Sequence, residues 1–141
     1  MTAPVPVLVI TGPVGVGKST IANERVSHRN LACMWANFRR AGADRLIFVR
    51  VLEARSLLRR VTEAVPGAQI TVVRLGAPLS VLHERIRSRE ASDPSWFLGA
   101  ATHTAEVFER AQVEDHLVDN ENRPPTVVAE EVLHRVGWLN R

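Results

Sequence analysis

Residues 12–19 of this 141-residue chain read G-P-V-G-V-G-K-S. They fit G-x-x-x-x-G-K-[ST], the P-loop pattern, without a mismatch, and the spacing has a chemical meaning. A polyphosphate needs successive backbone N–H groups curled round its oxygens, with little side chain in the way. Gly12, Gly15 and Gly17 permit the turn and the close approach, and Val14, Val16 and Thr20 belong to the same cradle. Lys18 supplies a mobile cation for the β- and γ-phosphates, and the Ser19 hydroxyl reaches Mg²⁺. A helix starting at Lys18 or Ser19 adds unpaired N–H groups and the positive end of its dipole. The plain alternative is a chance match, or a loop that only holds the fold. The apolar run Val7–Ile10 just before the motif argues against it, because strand, glycine-rich turn and helix start are the context the pattern requires.

Other residues could complete such a site. Glu53 follows an apolar run and could hold the metal or orient a substrate hydroxyl, although an aspartate at a strand tip is the usual residue. Its bland alternative is a helix-start glutamate. Arg85 and Arg89, in R-I-R-S-R, share a helix face and could cover a transferring phosphoryl group or stack on a base; Arg87 points elsewhere. Asp119, Asn120 and Arg123 follow the last strand, where a loop can touch a nucleobase or simply bond to itself. Asn23, Arg25, His28, Arg29 and Asn37 lie on polar helix faces that could meet an acceptor but read better as solvated. Arg50 and Arg74 interrupt apolar strands, as a residue near the phosphates or a snorkelling edge residue would. Cys33, the only cysteine, sits in an apolar helical stretch and is expected to be buried; it excludes an internal disulfide. Trp35 and Trp138 read as core, and Trp96 as part of a flap.

The elements that must position these residues alternate. Strands are expected at Val7–Thr11, Arg45–Leu52, Gln69–Leu75 and Glu114–Val118. A long helix, continuous or kinked, runs from the P-loop to Ala41 and stops at Gly42. Further helices span Arg55–Val65, Leu79–Glu90, Phe97–Arg110 and Val127–Val136, the last capped by Thr126 and ended by Gly137. The break at Ala91–Pro94 allows a small lid over 89–98. Strand–helix alternation gives a doubly wound α/β domain with a parallel sheet, residues 1–141 forming one domain. Ligands in such folds bind beyond the carboxyl ends of the strands.

Composition narrows the function classes. Apolar residues make up 45% and charged residues 23%, the balance of a globular protein, and no apolar run is long enough to span a membrane. The N-terminus lacks the basic region of a signal peptide, so a cytoplasmic location is expected. The net charge is +3, and Lys18 is the only lysine beside seventeen arginines. A lone lysine inside a P-loop suits a role that needs a compact point charge rather than a fork. No basic block interleaved with aromatics is present, which argues against nucleic acid as a partner.

These residues together resemble the small P-loop nucleoside- and nucleotide-kinase-like family, the group of adenylate, shikimate and gluconate kinases and chloramphenicol phosphotransferase. The resemblance rests on G-P-V-G-V-G-K-S-T, on the lid-entry helix R-I-R-S-R-E (Arg85–Glu90), and on H-L-V-D-N-E-N-R-P-P-T-V-V-A-E-E-V-L (His116–Leu133). It implies a P-loop NTPase three-layer sandwich, ATP and Mg²⁺ as cofactors, Arg85 near the adenine and Arg89 near the phosphates. One departure stands out. Members of the family usually follow the P-loop helix with a strand ending in a carboxylate, and here no apolar strand occurs between residues 22 and 44. The sheet is therefore expected to be short and mostly four-stranded, with an acceptor site that has lost a wall and an acid. The implied activity is ATP-dependent phosphotransfer to a small hydroxyl-bearing molecule, with Lys18, Glu53 and Arg89 catalytic and Ser19 and Glu53 at the metal. The alternative is a catalytically weak or inactive nucleotide-binding protein. An edge or apolar patch left by the missing strand is expected to be covered by a second copy, giving a homodimer.

Overall fold

The computed structural model describes residues 3–13, 24–89 and 92–139. Four strands, β1 (Val5–Thr11), β2 (Leu46–Val49), β3 (Ala68–Gly76) and β4 (His116–Asp119), form one parallel sheet in the order β2-β1-β3-β4. Among the described residues five helices surround it: α1 (Glu24–Arg40), α2 (Leu58–Ala64, entered through a 3₁₀ turn at Arg55–Leu57), α3 (Leu79–Arg89), α4 (Ser95–Ala111) and α5 (Pro125–Arg135). This is the α/β sandwich of the P-loop NTPase type with the short four-stranded sheet that the sequence leads one to expect. The portion of the first helix before Glu24, and residues 14–20 of the motif, lie outside the described residues.

Alternation along β1 explains the two layers. Its odd residues, Val5, Val7 and Val9, face a core shared with Leu31 and Trp35 of α1, Leu58 and Val61 of α2 and Phe108 of α4. Its even residues, Leu8 and Ile10, face Val128 and Val132 of α5, with Val73 and Val118 beside them. A centre strand buried on both faces reads as a continuous apolar run, and V-L-V-I does. Two helix ends depend on left-handed backbone that glycine adopts without a Cβ penalty. Gly42 (φ 99°) follows α1, and Gly137 (φ 76°) follows α5, where the Trp138 N–H returns to the Leu133 carbonyl at 2.9 Å.

Three expectations are corrected here. The segment Arg45–Leu52 is strand only over Leu46–Val49, and it is an edge strand: Ile47 and Val49 are exposed and only Leu46 and Phe48 pack inward. Its apolar run imitates a buried strand because branched residues favour strands at any position in the sheet. Thr126 does not cap the last helix; Pro124 stands at the cap and Pro125 in the first turn, where its missing N–H costs nothing. Cys33 is exposed, because the inward stripe of α1 runs through Leu31 and Trp35. Trp96, assigned to the flap, is exposed with its ring edge-on to Phe97 at 5.1 Å.

Arg74 of β3 is neither an edge residue nor a snorkelling one. Its side chain is buried against α4 and the loop before β4, donating to Glu114 at 2.9 Å and to Glu109 at 3.1 Å. Burial on its own would lower the Arg74 pKa, but the hydrogen bonds and charges of Glu114 and Glu109 outweigh it and raise the pKa, so the guanidinium stays charged. Next to it Asp115 clamps β3: its carboxylate accepts the Val72 N–H at 2.8 Å and pairs with Arg55 at 3.3 Å.

Candidate functional site

The parallel register brings the carboxyl ends of β1, β2 and β3 to one side of the sheet, and a cavity of about 380 Å³ opens there. Its floor is Ile10, Thr11 and Gly12 from the end of β1, Val49 from β2, and Leu75 and Gly76 from β3. One wall is α3. Leu82, Arg85, Ile86 and Arg89 recur at helical spacing and all face the cavity. The opposite wall is the loop Arg50–Val51, and Asn120, just past β4, closes the end. A volume of this size is in the range of small-molecule sites, and its position is where open parallel sheets bind ligands.

The floor is held by buried polar contacts. The Thr11 hydroxyl oxygen, buried, accepts the Leu52 N–H at 2.8 Å, and the Arg50 N–H donates to the Ile10 carbonyl at 3.0 Å. Together they pin the loop after β2 to the end of β1, and so set Arg50 and Val51 at the rim. Gly12 matters for a reason other than the turn. A Cβ there would stand 2.7 Å from the Leu75 carbonyl oxygen, so the first glycine of the motif lets the chain leave β1 hard against β3.

Three arginines, Arg50, Arg85 and Arg89, line a mostly apolar cavity. Arg85 donates to the Asn120 carbonyl, which orients its guanidinium across the end of the cavity. No carboxylate is found among the described lining residues. The set therefore suits an anion with an apolar portion, with guanidinium forks for its oxygens and Leu82 and Ile86 for its flat or apolar part. No group of three His, Cys, Asp or Glu side chains that could hold a metal occurs among the described residues.

Of the residues singled out in the sequence, the structure places Gly12, Arg85, Arg89 and Asn120 in this cavity. Val14, Gly15, Val16, Gly17, Lys18, Ser19 and Thr20 lie outside the described residues. Glu53 does not line the cavity; it is exposed, beyond Leu52, because β2 stops at Val49 and the chain turns at the Thr11–Leu52 bond. Arg123 is also drawn away. It donates to the Asp119 carbonyl at 2.8 Å and pairs with Glu131 of α5 at 3.4 Å, tying the loop after β4 to the last helix. The sequence reading left Arg50 open and missed Thr11, Leu82 and Ile86. The spacing Leu82-Arg85-Ile86-Arg89 was the available signal for the last two.

Comparison with known proteins supports the fold. No family model and no curated protein matches the chain. Among solved structures, the tunicamycin resistance protein of Deinococcus radiodurans superposes with a TM-score of 0.62 at 18% identity, covering 96% of this chain and 98% of that one. A gluconokinase from Sinorhizobium meliloti 1021 superposes with a TM-score of 0.54 at 19% identity, covering 96% and 93%. At these identities the likeness is one of architecture: a P-loop kinase-like fold.

Proposed function

We propose that the protein binds ATP in the cavity at the carboxyl ends of β1–β3 and transfers its γ-phosphoryl group to a small hydroxyl-bearing molecule. The observation that carries the reading is that Arg50, Arg85 and Arg89 line the same cavity as Gly12, the first glycine of a mismatch-free P-loop pattern. The resistance protein and gluconokinase of like fold support the kinase class, and neither identifies the acceptor. In this reading residues 14–20 give the N–H cradle, Lys18 neutralises the β- and γ-phosphates, and Ser19 holds Mg²⁺, which supplies further charge neutralisation. Arg85, fixed on Asn120, positions the nucleoside end, and Arg89 lies against the charge that spreads over the transferring group. The acceptor oxygen bonds to the γ-phosphorus as the bond to the bridging oxygen breaks; ADP leaves and the hydroxyl proton goes to solvent or a base.

One observation favours a second reading, a nucleotide-binding protein with little transfer. With Glu53 exposed off the cavity, the described lining offers no carboxylate to orient the acceptor or take its proton. ADP release, measured with Mg²⁺–ATP against a panel of sugars, sugar acids and nucleosides, separates the two. The kinase reading predicts at least one acceptor that raises ADP release, with the gain lost in Lys18→Ala. Release unmoved by every acceptor, from protein that binds ATP, leaves the second reading standing and overturns the first.

A further inference from the structure

The outer edge of β2 is laid out as a self-complementary surface. In a parallel pair, alternate residues turn both backbone polar groups to the same neighbour. The Arg50 N–H donates to the Ile10 carbonyl, so residues 46, 48 and 50 address β1, and the backbone groups of Ile47 and Val49 address the open edge. Those are also the exposed side chains of the strand, Ile47 at 50% and Val49 at 72%. No neighbouring strand covers that edge among the described residues.

A second apolar feature lies beside it. On α1, Leu31 and Trp35 point into the core, while His28 and Arg29 share a groove with Arg59 and Arg60 of α2. At about 100° per residue, Met34 and Phe38 then fall on the flank away from α2, toward the open edge. Both are exposed. Ile47 and Val49 lie beside Leu8 and Ile10 on the α5 face and α1 covers the other face, so four of the nine exposed large apolar residues among those described, Met34, Phe38, Ile47 and Val49, border the open edge from both faces of the sheet.

We propose that β2 pairs antiparallel with β2 of a second copy, with Ile47 opposite the partner's Ile47 on a two-fold axis, joining the four-stranded sheets into one. The outward backbone groups fix which registers can bond, since only odd residues can face odd residues. Charge selects among them. With Ile47 self-paired, Asp44 stands opposite the partner's Arg50 at both ends, and Leu46 opposite the partner's Phe48. Val49 then lies opposite the partner's Arg45. Sliding by one allowed step sets Asp44 against the partner's Leu52 instead and loses both ion pairs. The two α1 flanks come together over the joined sheet, so Met34 and Phe38 bury each other's apolar surface. Arg50 also lines the cavity, so the interface adjoins the candidate site.

The test reads mass and register. In sedimentation across a concentration series the wild-type chain is expected to form a dimer. Ile47→Lys and Val49→Pro are expected to sediment as folded monomers, because neither position bonds to β1. Asp44→Arg weakens association, and Asp44→Arg with Arg50→Asp restores it. In a Cys33→Ser background, Ile47→Cys joins two chains on mild oxidation, since antiparallel partners sharing hydrogen bonds sit about 5.5 Å apart at Cα. Val49→Cys does not, lying far from its own copy. A wild-type chain monomeric at every concentration, a dimer unchanged by Ile47→Lys, or crosslinking at 49 in place of 47 overturns the proposal. None of these readouts depends on nucleotide, so the outcome is separate from that of the proposed activity.

Discussion

Glu114→Gln and Glu109→Gln remove the two carboxylates that hold Arg74, and their costs should differ widely. The Arg74 side chain is 7% exposed, Glu114 12% and Glu109 73%. Breaking a buried charge pair by removing one partner costs about 3–5 kcal/mol, whereas an exposed pair contributes roughly 0–1 kcal/mol. Two facts lower the estimate for Glu114. Glu109 remains as a partial counter-charge at 3.1 Å, and the amide introduced by the substitution still accepts a hydrogen bond. One further fact sets the baseline: Arg74 Nε and Glu114 Oε2 are buried without partners, so the pair is not ideally satisfied even in the wild type. We therefore expect about 2–3 kcal/mol for Glu114→Gln and under about 1 kcal/mol for Glu109→Gln. At about 3–4 °C per kcal/mol for a chain of this size, melting should fall by roughly 6–12 °C in the first variant and by a few degrees at most in the second. Urea unfolding followed by circular dichroism measures both. Equal losses would refute the reasoning, because burial would then not govern what the ion pair is worth. A Glu114→Gln variant as stable as wild type would refute it too.

Arg85→Ala and Arg89→Ala should each weaken ATP binding by about 10- to 100-fold, the equivalent of one charge-assisted hydrogen bond, with no comparable loss in Glu53→Gln or Arg123→Ala; a fluorescent nucleotide titration distinguishes them. The pH dependence has a local source at the start of α4. The Ser95 hydroxyl and the Ser95 N–H both donate to Asp93, the hydroxyl being the larger influence, and they hold its carboxyl below the ordinary 3.8. A depressed pKa gives stability that is fully present above the unfolded value and is lost as pH falls through the folded one. The stability gap between wild type and Asp93→Ala should accordingly stay constant well above pH 3.8 and close below it in urea melts run across the acid range.

What the sequence revealed and what it hid follow from the range of the forces involved. β1 was legible because a valine-rich run leading into a glycine-spaced motif is a local signal that needs no distant partner. α3 was legible with its two arginines, since Arg85 and Arg89 lie one turn apart wherever the helix packs. The absence of a strand between residues 22 and 44 gave the strand count, but not the consequence for β2: only pairing partners decide that L-I-F-V stands at an edge. Arg74 looked like an edge or snorkelling residue because its two carboxylates come from 35 and 40 positions away. Glu53 looked like a strand-tip acid because the apolar run continues to Leu52, whereas β2 and its pairing with β1 stop at Val49. Arg123 and Glu131 are eight apart across a loop, outside any helical spacing rule, so their pairing was hidden as well. Cys33 went wrong for a smaller reason, a misplaced helical face: it stands two residues, about 200° of rotation, from both Leu31 and Trp35 of the inward stripe.

The central claim is that the cavity between α3 and the strand ends is a nucleoside triphosphate site. Calorimetric titration of ATP with Mg²⁺ into the wild-type protein and into Lys18→Ala tests it most directly, with circular dichroism confirming that both are folded. The account predicts one saturable site in the wild type and loss of that binding in the variant. No heat from folded wild-type protein with ATP, GTP or ADP, or binding of equal strength in Lys18→Ala, would contradict it.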